Sequence, residues 1–340
     1  GSAKPAAPAT PEEPASRVLF PVRRGGKWGY IDREARVAIS PRFDRAERFS
    51  EGLAAVVLEG KHGYVDAKGE LVLVPAQEPA GAVHRPFADG LAAVRDGEAI
   101  GFIDRKGKLA IPARFISADD FSEGLAFACD RDGCGYLDRS GRPALGGGLR
   151  AGYPVHGGFA GVALPTGHRG GKRWVLYHVA RGRLPGDYDD VGRVSDGLIA
   201  VRHEGRWGYV DGEGRAVIPP QFARGGEFVD GLAPVWEAAW SCGYADRTGK
   251  LAIPTRFRVC HPFSEGRARV ELLGDPKVPQ PAFIDRSGAV VIEGAKAGPR
   301  FDAASDFAGG LAAVESRTPA GGTKLGYVDV GGKYVWPPAE

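Results

Sequence analysis

The stretch Lys27-Trp28-Gly29-Tyr30-Ile31-Asp32 decides the fold, because the chain keeps returning to it. It comes back as His62-Gly63-Tyr64-Val65-Asp66, Ile100-Gly101-Phe102-Ile103-Asp104 and Cys134-Gly135-Tyr136-Leu137-Asp138. Later copies are Trp207-Gly208-Tyr209-Val210-Asp211, Cys242-Gly243-Tyr244-Ala245-Asp246, Ala282-Phe283-Ile284-Asp285 and Leu325-Gly326-Tyr327-Val328-Asp329, with an eroded one near Trp174-Val175-Leu176-Tyr177. A second phrase, Phe49-Ser50-Glu51-Gly52-Leu53-Ala54-Ala55-Val56, interleaves with the first. It recurs at Phe87, Phe121, Phe228, Phe263 and Phe307, and more weakly at Phe159 and Val194. Reading its glycines as Gly52, Gly90, Gly124, Gly161, Gly197, Gly231, Gly266 and Gly310 gives a period of about 36 residues, the mark of a tandem array and not of a two-domain enzyme.

Within a unit, Leu-Ala-Ala-Val and Trp-Gly-Tyr-Ile-Asp are short β-prone runs joined by a polar, glycine-containing loop, which predicts a hairpin. Asp-x-x-Gly follows, as in Asp66-Ala67-Lys68-Gly69. There the carboxylate can accept backbone N–H bonds while glycine supplies a positive φ. A third run such as Lys250-Leu251-Ala252-Ile253-Pro254 is stopped by proline, which has no N–H to give a ladder. The segment leading into the next Phe-Ser-Glu-Gly leaves room for a fourth short strand. Each unit is therefore a small antiparallel sheet of three or four strands that must stack on its neighbours to bury its aromatic residues.

This periodicity accounts for an odd composition. The chain has 340 residues with 52 Gly and 26 Pro, yet 43% are apolar. Such glycine and proline content excludes long helices, and no apolar run is long enough for a membrane-spanning helix. Lys+Arg 45 against Asp+Glu 42 leaves +3, with the two signs interspersed. A nucleic-acid binder would gather its basic residues into a stripe, so nucleic acid is set aside. No metal, nucleotide or cofactor motif appears among the seven scattered His and four Cys. One Asp per turn also falls short of the six to eight oxygens that calcium takes.

The repeated Lys-Trp-Gly-Tyr-Ile-Asp phrase, at Lys27–Asp32 and Arg206–Asp211, resembles the hallmark of bacterial WG-repeat (KWG) proteins. The resemblance spans roughly residues 18–338 as nine units. It implies a non-catalytic binding module, so no enzyme activity and no cofactor are expected. His62, Ile100, Cys134 and Cys242 stand where the hallmark has Trp.

Residues 17–338 read as one repeat domain. Ahead of it, Gly1-Ser2 reads as an expression scar and residues 3–16 as an extended Pro/Ala tether without a large apolar residue. Met is absent, which fits a removed signal peptide or lipid anchor upstream, and hence an exported, periplasmic or outer-membrane-tethered monomer. A cytoplasmic protein with a trimmed N-terminus is the alternative. The first unit begins at Val18-Leu19-Phe20 without a Phe-Ser-Glu-Gly lead-in, and the last stops at its third run, Tyr334–Pro338. Propellers commonly close by sharing a blade between the termini, and that is missing here, so the reading favours an open β-superhelix, with a closed propeller-like ring as the alternative. Nine units would also exceed the usual four to eight blades.

Features present in every unit serve the fold, so binding residues are sought among the departures. The loop joining the hairpin runs lengthens in the fifth, seventh, eighth and ninth units, always at the same structural position. These insertions emerge on one edge, and lengthened repeat loops are often the binding face. Trp236 and Trp240 fall in one such loop, His168, Arg169, Lys172 and Arg173 in another, and Lys277 in a third. Exposed Trp and Arg dominate interface hot spots. The partner expected there is a protein, with an envelope glycan or peptidoglycan as alternative. A glycan-active enzyme would need two carboxylates flanking one cleft, and no such pair stands out. For an exported chain the natural disulfides are Cys129–Cys134, across one hairpin, and Cys242–Cys260. Four buried thiols is the cytoplasmic alternative.

Overall fold

A computed structural model describes residues 18–74, 85–166, 172–238, 240–274, 280–294, 301–318 and 321–338. Among them the chain is strand and turn throughout, without helix. The sixth unit shows the plan. Asp190–Ser195, Leu198–His203, Arg206–Val210 and Ala216–Phe222 form one antiparallel sheet in chain order. We call these the lead-in strand, the two hairpin strands and the third strand. Nine such units follow one another, those of Phe20–Phe43 and Leu91–Phe115 having only three assigned strands. The seventh and eighth share a 14-residue strand, Leu251–Ser264, and so merge into one seven-stranded sheet.

The two repeated glycines have different physical jobs. In the Trp-Gly pair, glycine admits the third strand, which bulges over it. Trp207 pairs with Phe222 and Tyr209 with Ile218, so the third strand carries two extra residues there. A Cβ on Gly208 would lie 2.5 Å from the Ile218 carbonyl oxygen and 2.7 Å from the Pro220 nitrogen. In Phe-Ser-Glu-Gly, Ser50 and Leu53 bridge while Glu51 (φ 50°) and Gly52 (φ 79°) both take positive φ. That is the backbone of a type I′ hairpin turn, whose right-handed twist matches its strands.

The first central residue of that turn is Glu or Asp in six units: Glu51, Asp89, Glu123, Asp196, Asp230 and Glu265, all with φ of 50–53°. The left-handed region suits a glutamate poorly. Contacts between units explain its use. The Glu51 carboxylate accepts from the Gly90 N–H of the next turn (3.1 Å), Asp89 from Gly124 (2.6 Å), and Glu123 from Gly157 and Gly158 (2.6 and 2.7 Å). Asp196 accepts from Gly231 (2.8 Å), and Glu265 from Gly309 and Gly310 (2.7 and 2.8 Å). Charge-assisted bonds of this kind are the strong ones and offset the strained turn.

Three further bonds recur between neighbours. The buried tyrosine of the repeat donates its hydroxyl to a lead-in carbonyl of the next unit, as Tyr30 to Glu47 (2.7 Å), Tyr209 to Gly226 (2.9 Å) and Tyr244 to His261 (2.9 Å). Its ring meets the lead-in phenylalanine edge-on, with Tyr30–Phe49 at 4.8 Å and Tyr209–Phe228 at 4.7 Å between centroids. The turn serine reaches the next unit's Phe carbonyl, as Ser50 to Phe87 (2.7 Å). The arginine after the hallmark Asp reaches back to the previous turn, as Arg105 to the Glu51 carbonyl (2.8 Å). Apolar clusters likewise straddle successive units, such as Tyr209, Ile218 and Phe222 with Phe228, Ala233 and Val235.

The array of about nine small antiparallel sheets is as expected, but its ends meet. Phe20, Val22 and Ile31 of the first unit share a core with Leu311 and Tyr327 of the last. The Tyr327 hydroxyl donates to the Pro21 carbonyl (2.8 Å), and Arg33 Nε to the Gly309 carbonyl (2.6 Å). These are the bonds found between successive units. The chain therefore takes the ring arrangement and not the favoured open superhelix. The physical reason is that closure needs no shared strand. Phe20, from the hairpin strand itself, packs edge-on against Tyr327 at 5.4 Å, where a lead-in phenylalanine would otherwise sit.

A smaller correction concerns the eroded fifth unit. Its lead-in turn is His156-Gly157-Gly158-Phe159, bridged from His156 to Phe159, so its turn glycine is Gly158. Gly161 lies inside the strand Phe159–Pro165. With no acid at position 157, this turn has no carboxylate to offer its neighbour.

Candidate functional site

Antiparallel order puts the lead-in turns and the Asp-x-x-Gly turns, where present, at one end of each unit and the hairpin loops at the other. Bonds between neighbours stay within each level. Asp44, on the connection between the first two units, accepts from Lys27 (2.5 Å) and from the Gly60 N–H (3.1 Å), joining two successive hairpin tips. The ring thus has a turn face and a loop face.

The expected Asp-x-x-Gly geometry forms. Asp66 Oδ1 accepts the Lys68 and Glu70 N–H groups, both at 2.9 Å, and Asp211 Oδ1 those of Glu213 and Arg215, both at 2.9 Å. The Ser140 hydroxyl at Asp138, the Thr248 hydroxyl at Asp246, the Ser287 hydroxyl at Asp285 and the Arg215 N–H at Asp211 lead the bonds that hold these carboxyls below the ordinary 3.8. A lowered folded value means stability that is present above 3.8 and lost as the carboxylate protonates. The melting temperature is accordingly expected to hold in mild acid and to fall once the pH drops below about 4. A flat profile down to about pH 2.5 would contradict this role for the turns. The repeat tyrosines stay neutral donors, since burial pushes their hydroxyls up, that of Tyr327 to about 12. No cluster of three or more metal-ligating side chains occurs among the described residues.

On the loop face, unit seven stands apart. Leu232–Ala238 and Ser241–Asp246 form its hairpin, and Trp240 sits at the tip, 84% exposed. Trp236, expected in the loop, instead lies within the strand, opposite Cys242 on one side and Arg224 on the other. It is half-buried and shares with Trp207, Arg224, Pro234 and Pro262 a shallow groove of about 340 Å³. In unit five the insertion partly lengthens the hairpin, since Pro165 pairs with Lys172. Arg173 there is tied to Asp187 at 3.3 Å, which occupies its charge. His168, Arg169 and Lys277 lie outside the described residues, as does the side chain of Lys172.

Both disulfides form with the expected pairing. Cys129 and Cys134 face each other across one hairpin, with Cα atoms 4.0 Å apart. Cys242–Cys260 joins unit seven to the lead-in strand of unit eight. It falls where other units place a tryptophan over a small residue, as Trp207 over Gly225. Sequence reasoning missed the carboxylate clamp between turns. Its signal was visible in the recurrence of Glu or Asp before the turn glycine, a costly residue at a positive φ.

Fold and site together define a closed all-β repeat ring with a varied loop face. The model of the WG containing repeat matches residues 28–61, 100–133, 183–207, 207–235, 243–274 and 282–316, more than half of the chain. The protein belongs to the WG-repeat family. No curated protein matches it. Among solved structures, a eukaryotic initiation factor is similar over 94% of this chain and 95% of its own, with a TM-score of 0.66 and 12% identity. That likeness concerns the fold alone. The C-terminal WD40 domain of Sif2 (TM-score 0.42, 11% identity, 92% and 96% covered) and a puromycin hydrolase mutant (0.41, 15%, 96% and 54%) are more distant.

Proposed function

We propose that the ring is a non-catalytic binding module that presents its loop face to a protein partner, with the hairpin of unit seven at the centre of the contact. The observation that carries this reading is the exposure of Trp240. The other five tryptophans are buried or half-buried in the repeat framework. A large ring held out in water at a hairpin tip costs solubility and serves no packing, whereas tryptophan is a leading anchor of interfaces. The groove that Trp236 and Arg224 of unit seven form with Trp207 of unit six offers further aromatic and cationic surface. Arg173 and the loop residues His168, Arg169, Lys172 and Lys277 are proposed to extend the surface along the same face.

Two disulfides support an exported, envelope-located protein, because such bonds persist in oxidising compartments. Capture of a partner from an envelope fraction by immobilised protein tests the reading. Trp240→Ala is expected to weaken capture by about tenfold with an unchanged melting temperature, in keeping with a hot-spot tryptophan. Equal capture by the variant would refute it. An exposed indole also serves as a stacking platform for sugars. Loss of peptidoglycan co-sedimentation in Trp240→Ala, without any protein captured by the wild type, would favour the glycan reading.

A further inference from the structure

The seam between the last and first units contains a slot that no described residue fills. At five other steps, a carboxylate of one lead-in turn grips the turn of the next unit. The first unit has no such turn among its described residues, and a cleft of about 320 Å³ lies where that turn would sit. Its floor is Val18–Pro21, one wall is Arg48, Phe49, Glu51 and Gly52 of unit two, and the other is Ala308-Gly309 of unit nine. Phe20 and Pro21 already fill the aromatic and carbonyl positions against Tyr327. What stays open is the part that the acidic turn itself would occupy.

The residues that would hold a sister turn are trimmed on every side. Gly309 replaces the clamp acid, Ala308 the turn serine, and Ala67 the arginine that elsewhere reaches back to a turn carbonyl. All three line the cleft. The receiving side is retained. Gly52 occupies the position whose N–H, at Gly90, Gly124 and Gly231, donates to a carboxylate of the preceding unit. Exposed Arg48 stands beside it with Phe49, over the apolar floor of Leu19 and Phe20, while the Glu51 carboxylate of the same wall is engaged by the Gly90 N–H and Arg105 of unit three. We propose that this cleft binds an acidic side chain on an extended, partly apolar peptide of a partner protein. The turn N–H groups and Arg48 would receive the carboxylate, and the apolar floor its flanking residues. The chemistry is that of the five carboxylate clamps elsewhere in the ring, supplied here from outside. The cleft opens on the turn face, so it is separate from the surface proposed for Trp240.

The test is fluorescence anisotropy of the full chain with a labelled, end-blocked hexapeptide Arg-Phe-Ser-Glu-Gly-Leu. Binding is expected, with a loss of about tenfold when the peptide glutamate is replaced by glutamine, the worth of one charge-assisted bond. Arg48→Ala should weaken binding similarly. Gly309→Glu, which hangs a carboxylate of the protein's own in the slot, should compete and weaken it too. Melting temperatures report whether either variant is still folded, and Trp240→Ala should bind the peptide unchanged. No binding, or equal binding of the glutamine peptide, would overturn the proposal. Displacement by N-acetylglutamate at the concentration where the peptide itself saturates would overturn the assignment to a peptide.

Discussion

Replacing Cys242 and Cys260 together by serine is expected to destabilise the ring by roughly 2–5 kcal/mol, the usual loss for a native disulfide. The bond closes a loop of 18 residues and joins two units. Both half-cystines are buried, at 0% and 5% exposure, among Tyr244, Phe257 and Phe263. Two hydroxyls placed there would lose the crosslink and need partners in an apolar core. Removal of Cys129–Cys134 should cost less, because that bond spans five residues across a hairpin already fixed by its own ladder. Denaturant melts of the two double variants, side by side, check the order. A larger loss at Cys129–Cys134 would show that loop length and burial are not what set the contributions.

Gly208→Ala is expected to cost about 1–3 kcal/mol or more through overpacking against the main chain. The added methyl would meet the Ile218 carbonyl and the Pro219–Pro220 peptide, all backbone atoms of the bulged third strand. None can swing aside without opening the bulge. The instructive comparison is Gly124→Ala. Its Cβ meets nothing within 4 Å, but its φ is +84°, and the left-handed backbone alone costs about 1–2 kcal/mol. Thermal melts of both variants separate closeness from chirality. If Gly208→Ala proves the milder of the two, the third strand is free to shift.

Much of this was legible in the sequence, for identifiable reasons. Trp-Gly-Tyr-Ile-Asp could be recognised as strand and turn because alternation, glycine and the Asp-x-x-Gly signature each act locally. The disulfides followed from the same alignment, since Cys242 stands in a tryptophan slot and Cys260 in the next lead-in. Closure was not legible. It depends on Phe20 reaching Tyr327, a pair 307 positions apart that no period announces. The eroded fifth turn was misplaced because Gly161 looked like a turn glycine, although its neighbours Ala160 and Val162 are both buried strand residues. Trp236 read as loop for a related reason. The alignment assumed a strand of fixed length, and the ladder through Trp236 and Cys242 extends it.

The clamp between turns gives the ring a direction of failure. Repeat proteins behave as chains of nearest-neighbour interfaces, so the weakest link sets where they first come apart. At the step from unit two to unit three, tyrosine, serine, carboxylate and arginine all bridge the gap. At the seam, among the described residues, only the tyrosine and arginine bonds recur, and Gly309 offers no side chain. Unlatching there would turn a closed band into a spring with its units still stacked. Anything lodged in the seam would act as a clasp, coupling occupancy of one small cleft to the rigidity of the whole circumference.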